Sequence, residues 1–284
     1  MNTTLQKIKK LAIIALFTDD NLMDTFVLKG GTALELAYNI HDRASIDIDV
    51  SMRNDFDLDE IEPKLKNIFI ETFDEHNYYL FDFKIYPRPL TSNIEIGKFW
   101  GGYCIEFKVI ENSKKEIFGD NINELRKNAV VVGRDNAKKY KIDISKHEYY
   151  PSKQDIEIDG YSIYVYTPVM IINEKLRAIC QQMDEYRAIV PTNRKPRSRD
   201  FFDIYSILTS LPETREYFYS QENKEFIKSV FEIKRVPLEF LNKIKYEKDF
   251  HEQNFNTVKL TVSSSEIYDF DFYFNYTIKL IEGL

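Results

Sequence analysis

The chain has 284 residues, 43% of them hydrophobic and 30% charged, which is enough apolar content for a substantial core in one large or two modest domains. Its 46 acidic residues outnumber its 39 basic ones, giving a formal net charge of −7; this argues against a protein whose whole surface binds nucleic acid and leaves that task to a local basic patch. The two cysteines, Cys104 and Cys180, have neither disulfide nor metal-ligand spacing and suit buried small hydrophobes in a reducing compartment.

The opening K-I-K-K-L-A-I-I-A-L-F reads as an amphipathic helix. Its apolar run, Leu11 to Phe17, is short and leads into T-D-D-N without a cleavage site, unlike a signal peptide. No apolar stretch approaches the ~20 residues needed to cross a bilayer, so the expected location is the cytoplasm, without a membrane. L-K-G-G-T-A-L follows, from Leu28 to Leu34. Thr32 and Glu35 fit a capping box and predict a helix start at the glycines, running to about Asn39. Ile46, Ile48 and Val50 alternate with Asp47 and Asp49 and predict a strand with both carboxylates on one face. Apolar residues at helical spacing predict a helix over 58–77, and alternating aromatic and β-branched runs predict strands near 78–86, 103–110, 139–145 and 161–166 in a mixed or antiparallel sheet. Gly101-Gly102 reads as a hairpin turn. Thr167-Pro168 predicts a helix start, beyond which helical patterns dominate. The segment I-V-P-T-N-R-K-P-R-S-R, residues 189–199, reads as a basic linker.

The glycine pair and the D-x-D pair point to phosphate and metal chemistry. Gly30 and Gly31 lack a Cβ and can present bare N–H groups at a helix N-terminus, where partial positive charge favours phosphate. Arg43 and Ser45 lie beside the carboxylates and can reach a phosphate oxygen. Asp47 and Asp49 suit magnesium or manganese, which take oxygen ligands. Asp143, flanked by Ile142 and Ile144 in a repeat of the same alternation, is the expected third carboxylate, with Glu106 as its rival. By pattern alone Lys175 is a surface lysine near the edge of an apolar stripe, Asp200 an N-cap or first-turn residue, and Arg199 and Asp203 an i,i+4 surface pair. The four histidines, including His41 beside the D-x-D region, show no ligand spacing.

G-G-T-A-L followed by R-A-S-I-D-I-D resembles the signature of the AbiEii/AbiGii-type nucleotidyltransferase toxins, a branch of the DNA-polymerase-β-like superfamily. E-K-L-R-A around Lys175 resembles the family's third motif, and R-S-R-D-F-F-D, Arg197 to Asp203, resembles its R-x-K-D-x-x-D motif, with Arg199 where lysine is usual. The change of pattern at Thr167-Pro168 sets a domain boundary, 1–166 and 167–284, and the resemblance implies an α+β fold: a nucleotidyltransferase domain with a mixed sheet flanked by helices, then a helical-bundle domain that contributes Lys175 and the Arg197–Asp203 motif. It implies catalytic roles for Asp47, Asp49, Lys175 and Asp200, metal binding by Asp47, Asp49 and Asp143, and nucleotide binding by Gly30, Gly31, Thr32, Arg43, Ser45, Lys175 and Arg199. It further implies transfer of a nucleotide from a nucleoside triphosphate to RNA, expected at a tRNA 3′ end, by a toxin paired with a protein antitoxin in abortive phage infection. Nucleotidyl transfer to a small molecule or a protein side chain, and a non-catalytic nucleotide-binding regulator, are the alternatives.

Overall fold

A computed structural model describes residues 3–40, 47–90, 93–132, 136–262 and 267–284. Arg43, Ser45 and His41 lie outside the described residues. Among the described residues, seven strands form one mixed sheet in the order β3-β4-β5-β2-β1-β7-β6: β1 Val27–Lys29, β2 Ile48–Ser51, β3 Tyr78–Arg88, β4 Gly102–Glu111, β5 Tyr140–Ser145, β6 Gln154–Ile158 and β7 Tyr161–Val165. The helices of this half are α1 Thr3–Phe17, α2 Asp20–Met23, α3 Gly30–Tyr38, α4 Leu58–Asp74, α5 Ile94–Gly97, α6 Asn112–Phe118 and α7 Ile122–Asn128. After residue 166 the elements are helical: α8 Pro168–Cys180, α9 Ser198–Ser210, α10 Glu213–Phe218, α11 Gln221–Glu232, α12 Lys248–Glu252, α13 Phe255–Lys259 and α14 Phe270–Glu282, with 3₁₀ segments at Asp184–Ala188 and Leu238–Tyr246. Thr167 caps α8 from its hydroxyl, with Pro168 at the first helical position, as the Thr-Pro pair predicts.

Register sorts the sheet into two faces. Ile85, Ile105, Ile142 and Ile48 stand in one row across β3, β4, β5 and β2 and face the core. Helix α4 covers this face, its Phe69 and Phe73 each 5.5 Å from the Phe107 ring. The neighbouring row on the opposite face is Tyr86, Cys104, Asp143, Asp49 and Lys29. Asp143, Asp49 and Lys29 of that row line the site. One continuous buried apolar cluster joins the sheet to α8, α9 and α14, so the helical half is packed onto the strands that carry the row.

Four local readings are corrected. Residues 11–17 of α1 are buried on every side, so the helix is a core element there and its apolar run reflects full burial. The cap of α3 is Lys29, with Thr32 in the third helical position; Thr32 instead donates to the Asp47 carbonyl (2.7 Å) and Glu35 pairs with Lys9. Gly101-Gly102 leads into β4, and a Cβ on Gly102 would fall 1.8 Å from the Ile144 carbonyl oxygen, so the glycine serves close strand approach. The basic segment before α9 is fastened to the body: Arg194 bonds the Gln182 carbonyl, Asp184 and Glu247 and stacks over Phe250. Cys104 and Cys180 are free and buried, and no helix among the described residues is long and apolar enough to cross a membrane.

Candidate active site

A cleft of about 840 Å³ separates the sheet from α8 and α9. Its sheet wall carries Gly30, Gly31, Asp47, Asp49 and Asp143, and its helical wall carries Glu174, Lys175, Arg197, Arg199 and Asp200. Gly30 opens α3 with φ +68°, and a Cβ there would lie 2.8 Å from Asp49 Oδ2. The glycine therefore meets two demands: a left-handed backbone and direct contact with a carboxylate. The first-turn N–H groups of α3 lack intrahelical acceptors and open beside that carboxylate.

Asp49 is the electrostatic centre. Asp143 is its direct partner across the parallel β2–β5 pair, and Lys29 its partner across β1–β2. Burial pushes the Asp49 carboxyl up to about 6; Lys29 opposes this, while Glu174, Asp47 and Asp143 add negative charge that reinforces it. Lys29 is buried and pairs with Glu174 while donating to Ser145 Oγ (3.1 Å). Asp143 accepts from Arg88 Nη1 (2.7 Å). Glu106, the rival third carboxylate, lies one residue pair further along β4, bonded to Tyr86 (2.9 Å) and ion-paired with Lys139 (2.8 Å).

Lys175 departs from its surface reading. It is 6% exposed and donates to Asp200 (3.0 Å) and Asp203 (2.6 Å). Burial opposes ionisation of Asp200, but Arg197 and Lys175 hold its carboxyl below the usual range. Asp203 is thus joined to α8 rather than to Arg199. Arg197 feels Asp49 and Glu174 as well as Asp200, which places the helical motif opposite the carboxylate row. Behind it, Glu148 accepts from Arg177 (2.8 and 3.2 Å) and lies 3.4 Å from Lys234. Lys29, Glu148, Glu174, Arg177 and Lys234 escaped the sequence reading. Local signals existed for three of them: Lys29 stands in L-K-G-G-T-A-L, and Glu174 and Arg177 in E-K-L-R-A.

Among the described residues no three or more His, Cys, Asp or Glu side chains are already gathered as a metal site. The donor chemistry nonetheless fits a hard divalent cation: Asp47, Asp49 and Asp143 line one cleft and offer oxygen only.

The profile of the AbiEii nucleotidyl transferase toxin family, type IV toxin–antitoxin systems, matches residues 14–275. The chain belongs to the AbiEii family. This AbiEii protein is accordingly a nucleotidyltransferase with a nucleoside triphosphate substrate, of a toxin–antitoxin family. Among solved structures it is similar to JHP933 from Helicobacter pylori, at TM-score 0.50 and 16% identity over 99% of this chain and 92% of that one. It is also similar to an antigenic nucleotidyltransferase-like protein from Paracoccidioides brasiliensis, at TM-score 0.36 and 13% identity over 78% of this chain and 92% of that one. Among curated proteins none matches significantly. The likeness to JHP933 shows a shared fold.

Three outcomes follow from the geometry. Gly30→Ala forces a side chain against Asp49 Oδ2 in a left-handed conformation; it should abolish turnover and lower stability by at least ~1 kcal/mol in denaturant titrations, and a fully active variant would refute the contact. Lys175→Ala removes a buried cation shared by Asp203 and Asp200, the latter keeping Arg197, and should cost about 3 kcal/mol, whereas a change under ~0.5 kcal/mol would restore the surface reading. The Asp49 carboxyl titrates near 6 in the folded chain against about 4 unfolded. Folding thus opposes its ionisation, and its favourable contribution, complete below pH ~4, is lost as pH rises to about 6. Asp49→Asn should therefore melt higher than the parent at pH 7.5, by up to about 2 kcal/mol in stability, with the gain vanishing near pH 4; a lower melting point at pH 7.5 would contradict this.

Proposed function

We propose that this AbiEii protein transfers a nucleotide from a nucleoside triphosphate to the 3′ end of RNA, with tRNA as the acceptor class, and that it acts as a toxin held in check by a protein antitoxin in defence against phage. The observation that supports it best is the Lys29–Asp49–Asp143 row at the N-terminus of α3, facing Lys175, Arg197 and Asp200 across one cleft. The first-turn N–H groups at Gly30 and Gly31 receive the triphosphate, and Arg197 and Arg199 neutralise its outer oxygens. Lys175, fixed by Asp200 and Asp203, adds a compact charge where pyrophosphate departs. Asp47, Asp49 and Asp143 would hold a divalent cation, magnesium or manganese, which when bound neutralises phosphate charge and favours the ionised acceptor. The acceptor hydroxyl oxygen bonds to the α-phosphorus, the bond from that phosphorus to the bridging oxygen breaks, and the hydroxyl proton leaves through the carboxylate row as pyrophosphate departs.

The test incubates the protein with magnesium, each α-labelled nucleoside triphosphate in turn and total bacterial RNA. Label should enter small RNA with one nucleotide preferred, and folded Asp47→Ala and Asp49→Ala variants should lose at least ~100-fold of the rate. Labelling of the protein alone would move the acceptor to a side chain. Triphosphate binding with neither product would favour a small-molecule acceptor or a regulator.

A further inference from the structure

We propose that the open face of β3, β4 and β5 is the track on which a single-stranded RNA acceptor lies as its 3′ end enters the cleft, an inference that rests on the RNA reading above. Along β3, Lys84, Tyr86 and Arg88 point to one face, the face that carries Glu106 on β4 and Lys141 and Asp143 on β5. Lys139 leads into β5 beside them, 2.8 Å from Glu106. At the far end Lys108 (2.9 Å) and Arg126 of α7 (2.7 Å) share Asp82. Six cations thus stand against Asp82, Glu106 and Asp143, a surplus of three positive charges in a chain of net charge −7. The side chains of Arg88, Arg126, Lys139 and Lys141 are each about half exposed, at 52%, 49%, 48% and 48%, and Lys84 is exposed.

Charge and shape favour RNA over an acidic protein. Alternate residues of a strand stand ~7 Å apart on one face, so β3 offers a line of donors rather than a compact patch. Tyr86 sits between two of those cations with its hydroxyl on Glu106 (2.9 Å), which leaves the ring to stack with a base. The line ends at Arg88 and Asp143, on the rim of the cleft, where an acceptor hydroxyl must arrive. The opposite face of the same strands is closed by α4, and α6 and α7 cover the far end of this one, where Phe118 and Leu125 pack with Phe81 and Ile110, so a polyanion has the stretch from Lys84 to Arg88 to use.

The experiment measures binding of a short fluorescein-labelled RNA by anisotropy across a salt series, and steady-state labelling of the same RNA, for the parent, for Lys84→Gln/Lys141→Gln, and for a matched Lys224→Gln/Lys228→Gln variant on α11. The β3–β5 variant should bind RNA about tenfold more weakly, with a salt slope smaller by about 1.4, and should show a raised KM for RNA at unchanged kcat and unchanged triphosphate affinity. The α11 variant should match the parent. Unchanged RNA binding and KM in the β3–β5 variant, while the parent labels RNA, overturns the track and leaves the RNA reading standing. An equal loss in the α11 variant overturns it as general electrostatics, and equal binding of polyglutamate overturns it in favour of an acidic protein. A parent enzyme that neither binds nor labels RNA removes the reading and the track together.

Discussion

Everything in the site depends on the contact between the Asp49 carboxylate and the backbone at Gly30. A Cβ on Gly30 would fall 2.8 Å from Asp49 Oδ2, so the start of α3 lies directly against the carboxylate that β2 presents. That closeness sets a ready-made anion site, the helix N-terminus, beside a group that needs a cation. Thr32 holds the arrangement from the other side by donating to the carbonyl of Asp47. Phosphate and divalent metal are complementary ligands for such a place, because each relieves the charge that the other leaves in excess.

The second wall is held by buried ion pairs. Lys29 on β1 meets Glu174 on α8, Arg177 on α8 meets Glu148 beyond β5, and Lys175 on α8 meets Asp200 and Asp203 on α9. Burying so many charges is costly, and apolar replacements of equal shape often match such pairs in stability. Their value here is positional. They fix α8 and α9 at a set distance from the carboxylate row and leave Arg197 and Arg199 on the cleft surface. Their local surroundings set the two aspartates apart: Arg197 and Lys175 hold the Asp200 carboxyl below its usual range, whereas burial, reinforced by Glu174, Asp47 and Asp143, raises that of Asp49.

The legible parts of the site were those encoded locally. Gly30-Gly31 and Asp47-x-Asp49 sit close in sequence, and the I-D-I pattern around Asp143 repeats that around Asp49, so parallel pairing of like strands brought the two into register. The strands near 78–86, 103–110, 139–145 and 161–166 were visible because alternation is a local signal. What depended on tertiary partners was not visible. β1 spans three residues, too few for any period. Lys175 looked like a surface lysine because its partners lie 25 and 28 residues away on the next long helix. Thr32 and Glu35 matched a capping box by spacing, yet each found a better partner outside the helix. The basic segment before α9 looked like a linker because Gln182, Glu247 and Phe250, which anchor Arg194, are distant in sequence.

The most direct test of the account is a crystal structure of the protein with manganese and a non-hydrolysable nucleoside triphosphate, read by anomalous scattering. The account predicts manganese bound by Asp49, with Asp47 or Asp143 as a second carboxylate ligand, and the triphosphate seated on the first turn of α3 opposite Lys175 and Arg197. Manganese bound without Asp49, or a triphosphate lodged away from Gly30 and Gly31, would contradict it.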